Sequence, residues 1–134
     1  MKMPIGKVVK NPARNLLVVD DDIAMTALLK DFLARQGYEV TVTSSVAGAL
    51  ALFRSAPPDK PFDLVISDVK LGKANGFDLT RVVNLEQPNL PVILFSVSED
   101  LEKAALESGA RKFLRKPFSL MTLSKLVEEE CRKK

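Results

Sequence analysis

Short apolar runs alternate with longer amphipathic stretches along this chain, and that alternation leaves few folds open. Leu16-Leu17-Val18-Val19 is continuously apolar and runs straight into Asp20, the pattern of a strand buried on both faces. Met25, Leu28, Leu29, Phe32 and Leu33 then recur at helical spacing until Gly37 stops the helix. Tyr38, Val40 and Val42 alternate with polar residues, as in a half-exposed second strand. Val46, Ala49, Leu50 and Phe53 make a second helical stripe, cut off by Pro57, Pro58 and Pro61. A third strand runs from Phe62 to Ile66 and leads to Asp68. Beyond a glycine-containing loop, Leu71 to Gly76, a helix is expected from about Phe77 to Glu86. Pro91 to Phe95 reads as the fourth strand, Leu101–Ser108 as a short helix ending at Gly109, and Lys112 to Arg115 as the fifth strand. Pro117 breaks that strand, and Ser119 caps a last helix with the stripe Leu120, Leu123, Leu126, Val127 and Cys131. Five strands, each followed by a helix, imply right-handed crossovers and an α/β fold: a parallel sheet with helices on both faces.

Composition removes several functions. At 134 residues the chain suits one domain, and no apolar run approaches the roughly 20 residues of a membrane span. The opening MKMPIGKVVKNPAR lacks an apolar stretch of signal-peptide length, so a cytoplasmic location is expected. There is no histidine and one cysteine, Cys131, which excludes Cys/His zinc sites, internal disulfides and Ser-His or Cys-His catalysis. The net charge of +3 is concentrated at one end. Residues 1–14 carry Lys2, Lys7, Lys10 and Arg14 and no acid, which leaves 16 basic against 17 acidic residues in 15–134. A nucleic-acid binder places its basic face on the domain. A flexible basic tail over 1–14 and a near-neutral domain over 15–132, contacting neither nucleic acid nor membrane, are therefore expected.

The strand ends are chemically unusual. The first delivers Asp20, Asp21 and Asp22, the third Asp68, the fourth Ser96 and the fifth Lys116. In an open α/β sheet these carboxyl ends form the ligand crevice. Carboxylates converging there repel each other and call for a cation, and an all-oxygen site suits Mg²⁺. Asp22 stands where a helix N-cap is expected and is set apart from the cluster.

Four motifs carry a resemblance. Leu17-Val18-Val19-Asp20-Asp21-Asp22, Leu64-Val65-Ile66-Ser67-Asp68 with Gly76 eight residues on, Leu94-Phe95-Ser96, and Phe113-Leu114-Arg115-Lys116-Pro117-Phe118 resemble, in order and spacing, the receiver domain of two-component response regulators. The resemblance runs from about Asn15 to Val127. It implies a flavodoxin-like, doubly wound five-stranded sheet in the order 2-1-3-4-5. It further implies Asp68 as phosphoacceptor, with Mg²⁺ held by Asp21, Asp68 and the backbone carbonyl of Lys70, Asp20 acting through water. Lys116, aimed by a cis bond to Pro117, would pair with a phosphoryl oxygen, and Ser96 would donate to another. Ser96 and Phe113 would form the switch. The implied partner is a sensor histidine kinase or a histidine phosphotransfer protein. The role is regulatory rather than enzymatic, and homodimerisation stays open.

The chain departs from the family's usual pattern in four places. Gly72 stands where proline is usual, so that loop is expected to be more mobile before metal or phosphate binds. Lys70 occupies the position that tunes acyl-phosphate lifetime. Phe113 replaces the commoner tyrosine. The interval from Ser96 to Phe113 is about two residues short, trimming the fourth helix or the loop before it. Among other functions, a haloacid-dehalogenase-like phosphatase would use Asp20 as nucleophile and needs threonine or valine where Ala24 stands. A flavodoxin-like cofactor binder needs a Ser/Thr/Gly-rich phosphate loop, and this one is triply acidic. A receiver-fold docking module without phosphorylation is the remaining alternative.

Overall fold

The first strand's unbroken apolar run feeds two cores at once, and the rest of the molecule is arranged around that fact. In the computed structural model, which describes residues 14–132, β1 (Asn15–Val19) sends Leu17 and Val19 to one side of the sheet and Leu16 and Val18 to the other. All four are fully buried. Four further strands, β2 (Glu39–Thr43), β3 (Leu64–Asp68), β4 (Val92–Ser96) and β5 (Lys112–Arg115), complete a parallel sheet in the order β2-β1-β3-β4-β5. This is the flavodoxin-like order expected from the sequence. The half-polar β2 lies at an edge and stays only partly covered, as its alternating pattern requires.

Helices α1 (Ile23–Arg35) and α5 (Leu120–Arg132) cover one face, with Leu29, Leu33, Leu123 and Val127 packed on Ile66 and Phe95. Helices α2 (Val46–Ser55), α3 (Gly76–Glu86) and α4 (Glu102–Glu107) cover the other, with Ala49, Phe53, Leu79, Val83 and Ala105 on Val65 and Leu94. Caps set where the helices begin. Asp22 accepts the Met25 amide, Ser45 that of Gly48, Asn75 that of Asp78 and Ser119 that of Thr122. No helix among the described residues is long and apolar enough to cross a membrane.

Three details differ from the sequence reading. Leu28, placed on the apolar stripe of the first helix, is 48% exposed. The loop after β3 contains a small antiparallel hairpin, Lys70–Leu71 against Ala74–Asn75, turning at Gly72 with φ of +66°. That left-handed backbone is one glycine adopts without a Cβ penalty. A three-residue 3₁₀ turn, Glu99–Leu101, precedes α4, which has six residues. The expected basic tail lies outside the described residues except for Arg14, whose carbonyl accepts the Glu39 amide at 2.8 Å.

Candidate functional site

The parallel register brings the ends of β1, β3, β4 and β5 to one edge. Val19 pairs with Ser67, Asp68 with Phe95, and Ser96 with Arg115. Residues just past those ends must therefore meet. Asp20, Asp21 and Asp68 do so: one oxygen of each lies within 4.8 Å of the others. Asp22, adjacent in sequence, is outside the cluster because its carboxylate caps α1.

The three acids sit in different surroundings. The Asp20 side chain is fully buried, with its backbone amide on the Thr43 carbonyl at 3.1 Å and one carboxylate oxygen accepting the Asp22 amide at 3.0 Å. Burial pushes its pKa above the ordinary 3.8, against the pull of the Asp22 amide and Lys116, while the charge of Asp68 adds to the rise. Asp21 is exposed and accepts the Gly72 amide at 3.1 Å, tying the hairpin to the β1–α1 connection. Asp68 closes β3 with its side chain 13% exposed. Its approach to α3 depends on Gly76, where a Cβ would lie 2.5 Å from the Asp68 carbonyl oxygen. No methyl group fits there without moving backbone.

Lys116 completes the group. It follows β5, is joined to Pro117 by a cis peptide bond, and places Nζ 3.2 Å from Asp68 Oδ2 and 3.3 Å from Asp20 Oδ2. The cation that converging carboxylates call for is thus supplied in part by the chain itself. Charge-assisted contacts at full strength are nearer 2.7–2.9 Å (about), so the ammonium spans both acids without closing fully on either. Underneath it lies the ring of Phe95, its centroid 4.7 Å from Nζ. In the sequence Phe95 stands only as part of the fourth strand and of the Leu94-Phe95-Ser96 motif, with nothing to mark its contact with Lys116.

The remaining expected residues stand around this group rather than in it. Ser96 is buried; its carbonyl accepts the Lys116 amide at 2.8 Å and its hydroxyl accepts the Ser98 amide at 3.1 Å. Lys70 lies two residues past Asp68 on the exposed side of the hairpin. Phe113 is half-buried against the α2–α4 core, opposite Leu94 in register. Chemically, the arrangement pairs a partly accessible carboxylate with an ammonium and with oxygen donors suited to a hard divalent cation.

Residues 16–128 match the family model described as the response regulator receiver domain. Among curated relatives, the DNA-binding transcriptional regulator NtrC of a Bradyrhizobium strain is 40% identical over 118 residues, covering 87% of this chain and 24% of the relative. The two-component response regulator ORR25 of Oryza sativa is 38% identical over 121 residues, covering 89% of this chain and 17% of the relative. The chain therefore spans about a quarter or less of the length of these relatives. A crystal structure of a response regulator receiver domain from Clostridium thermocellum superimposes with a TM-score of 0.82 at 30% identity, covering 90% of this chain and 95% of that one. The response regulator TrrA of Thermotoga maritima, solved with Mg²⁺ and BeF, gives a TM-score of 0.79 at 25% identity, covering 87% of this chain and 98% of that one.

Proposed function

The chain belongs to the response regulator receiver family, and from that premise we propose that it is a phosphoacceptor switch in a two-component phosphorelay. The observation that carries this reading is the position of Lys116 Nζ, within 3.3 Å of both Asp20 and Asp68 inside a three-carboxylate cluster. Against an inactive docking module stands the convergence of three carboxylates and a lysine, drawn from three strand ends, at one point. The phosphatase alternative would require Asp20 as nucleophile, yet Asp20 is fully buried whereas Asp68 reaches solvent.

In this reading an Asp68 carboxylate oxygen attacks the phosphorus of a phosphohistidine. An O–P bond forms, the P–N bond breaks, and the electron pair leaves with the imidazole nitrogen. These 134 residues hold no histidine, so the donor histidine lies outside them, on a sensor kinase or a histidine phosphotransfer protein met in the cytoplasm. The three carboxylates of Asp20, Asp21 and Asp68 suit Mg²⁺; Asp21, Asp68 and the Lys70 carbonyl would hold the ion, with Asp20 acting through water, and the ion would offset charge on the phosphoryl oxygens and align them for in-line transfer. Lys116 turns from Asp68 to a phosphoryl oxygen as the aspartate's charge is masked. The Ser96 hydroxyl, whose oxygen accepts the Ser98 amide, donates its own proton to another phosphoryl oxygen, drawing the loop after β4 inward and freeing space for Phe113 to rotate. The consequence is regulatory.

Incubation with acetyl phosphate tests this, with intact mass reporting the addition of one phosphoryl group. Labelling is expected for the wild type only with Mg²⁺, none for Asp68→Asn, and none for Asp21→Asn although it folds. Wild-type labelling of Asp68→Asn would place the acceptor elsewhere, and normal labelling of Asp21→Asn would remove the metal assignment.

A further inference from the structure

We infer that Phe95 is a positioning residue for phosphoryl transfer, holding the Lys116 ammonium through the face of its ring; this rests on the roles proposed for Asp68 and Lys116. Phe95 is fully buried, sits one residue before the end of β4, and is the register partner of Asp68 on the neighbouring strand. Its ring centroid lies 4.7 Å from Lys116 Nζ, inside the range of about 6 Å over which a ring face attracts a cation. The Lys116 side chain is only 15% exposed, so water weakens that attraction less than it does at an open surface. Phe118, two residues past Lys116, packs against Phe95 with centroids 5.6 Å apart and planes tilted by 45°. That contact helps to fix the ring.

Lys116 needs such a support. A lysine ammonium is a compact charge on a flexible stem, and its contacts to Asp20 and Asp68, at 3.3 and 3.2 Å, leave it room to shift. Two long contacts to carboxylates alone do not fix its position. The Phe95 ring adds a third contact, and it does so without a directional acceptor. The ammonium can turn an N–H from Asp68 toward a phosphoryl oxygen while it stays over the ring. An aliphatic side chain would fill the same volume and supply none of the attraction.

The decisive comparison is 3,4,5-trifluorophenylalanine placed at position 95 by site-specific incorporation, beside Phe95→Leu and the wild type. Fluorination nearly preserves shape but drains the negative face of the ring. Both substituted proteins are expected to lose roughly tenfold in the rate of Mg²⁺-dependent labelling by acetyl phosphate, the fluorinated one with an unchanged melting temperature. In the wild type the Lys116 ε-methylene protons should be displaced upfield by the ring current, and in Phe95→Leu they should return to ordinary lysine positions. Wild-type labelling by the fluorinated protein would overturn the inference, because packing alone would then suffice. Undisplaced methylene protons in the wild type would overturn it too. Absence of labelling in the wild type would instead remove the phosphoacceptor role, and this inference with it.

Discussion

Asp20 and Asp22 are two residues apart and chemically identical, yet the fold gives them opposite tasks. Asp22 is exposed and closes the first turn of α1, a role visible in the sequence because capping is local. Asp20 is buried at the bottom of the cluster, and nothing local distinguishes it. Its folded-state pKa is held above 3.8, chiefly by burial. Between 3.8 and that raised value the folded protein binds more protons than the unfolded chain, so stability is lost as pH rises through this window. At neutral pH an ionised Asp20 is a net cost. Asp20→Asn keeps an oxygen for the Asp22 amide and removes the charge. In Mg²⁺-free buffer at pH 7 its melting temperature is expected to exceed that of the wild type, the gain shrinking as pH falls toward 3.8. A calorimetric scan giving an equal or lower value would mean that Lys116 compensates the buried charge completely.

Among the elements, those with strong periodicity were legible and those held by one or two contacts were not. All five sheet strands and all five helices were read in order, with Lys112–Arg115 at its observed limits. The hairpin at Lys70–Leu71 and Ala74–Asn75 escaped because two-residue strands have no pattern to detect. Gly72 stands where the family usually has proline, but the hydrogen bond its amide donates to Asp21 joins groups 51 positions apart. Gly76 was legible as a motif spacing, while its physical reason is the closeness of α3 to the end of β3. Alanine is the better helix former by about 1 kcal/mol, so propensity favours Gly76→Ala. The opposing term is a Cβ 2.5 Å from the Asp68 carbonyl oxygen and 3.0 Å from Leu94 Cδ2. Since the nearer atom is backbone, the clash should win, with a net loss of about 1–2 kcal/mol. Urea denaturation should show a lower midpoint at an unchanged slope; an increased midpoint would show that α3 can move outward freely.

Across the whole molecule, stability is spread unevenly between the two cores. Helices α1 and α5, of 13 residues each, close one face. On the other, α4 has six residues, a single buried member in Ala105, and Leu106 44% exposed. So short a helix gains little from its own hydrogen bonds and hangs on few contacts. Native-state hydrogen exchange should therefore find the amides of Glu102–Glu107 opening at markedly lower free energy than those of α1 and α5. Equal protection would mean that the segment between β4 and β5 is locked to the core and poorly suited to switching. Order along the chain was enough for the fold class, the strand and helix sequence, the caps at Asp22 and Ser119 and the residues at the strand ends, because each follows from periodicity or from neighbours within a turn. Lys116 lies 96 residues from Asp20 and 48 from Asp68, and its place between those carboxylates and over Phe95 came with the folded molecule alone. Burial and distance belong to a packed interior, which brings together residues that no local pattern relates.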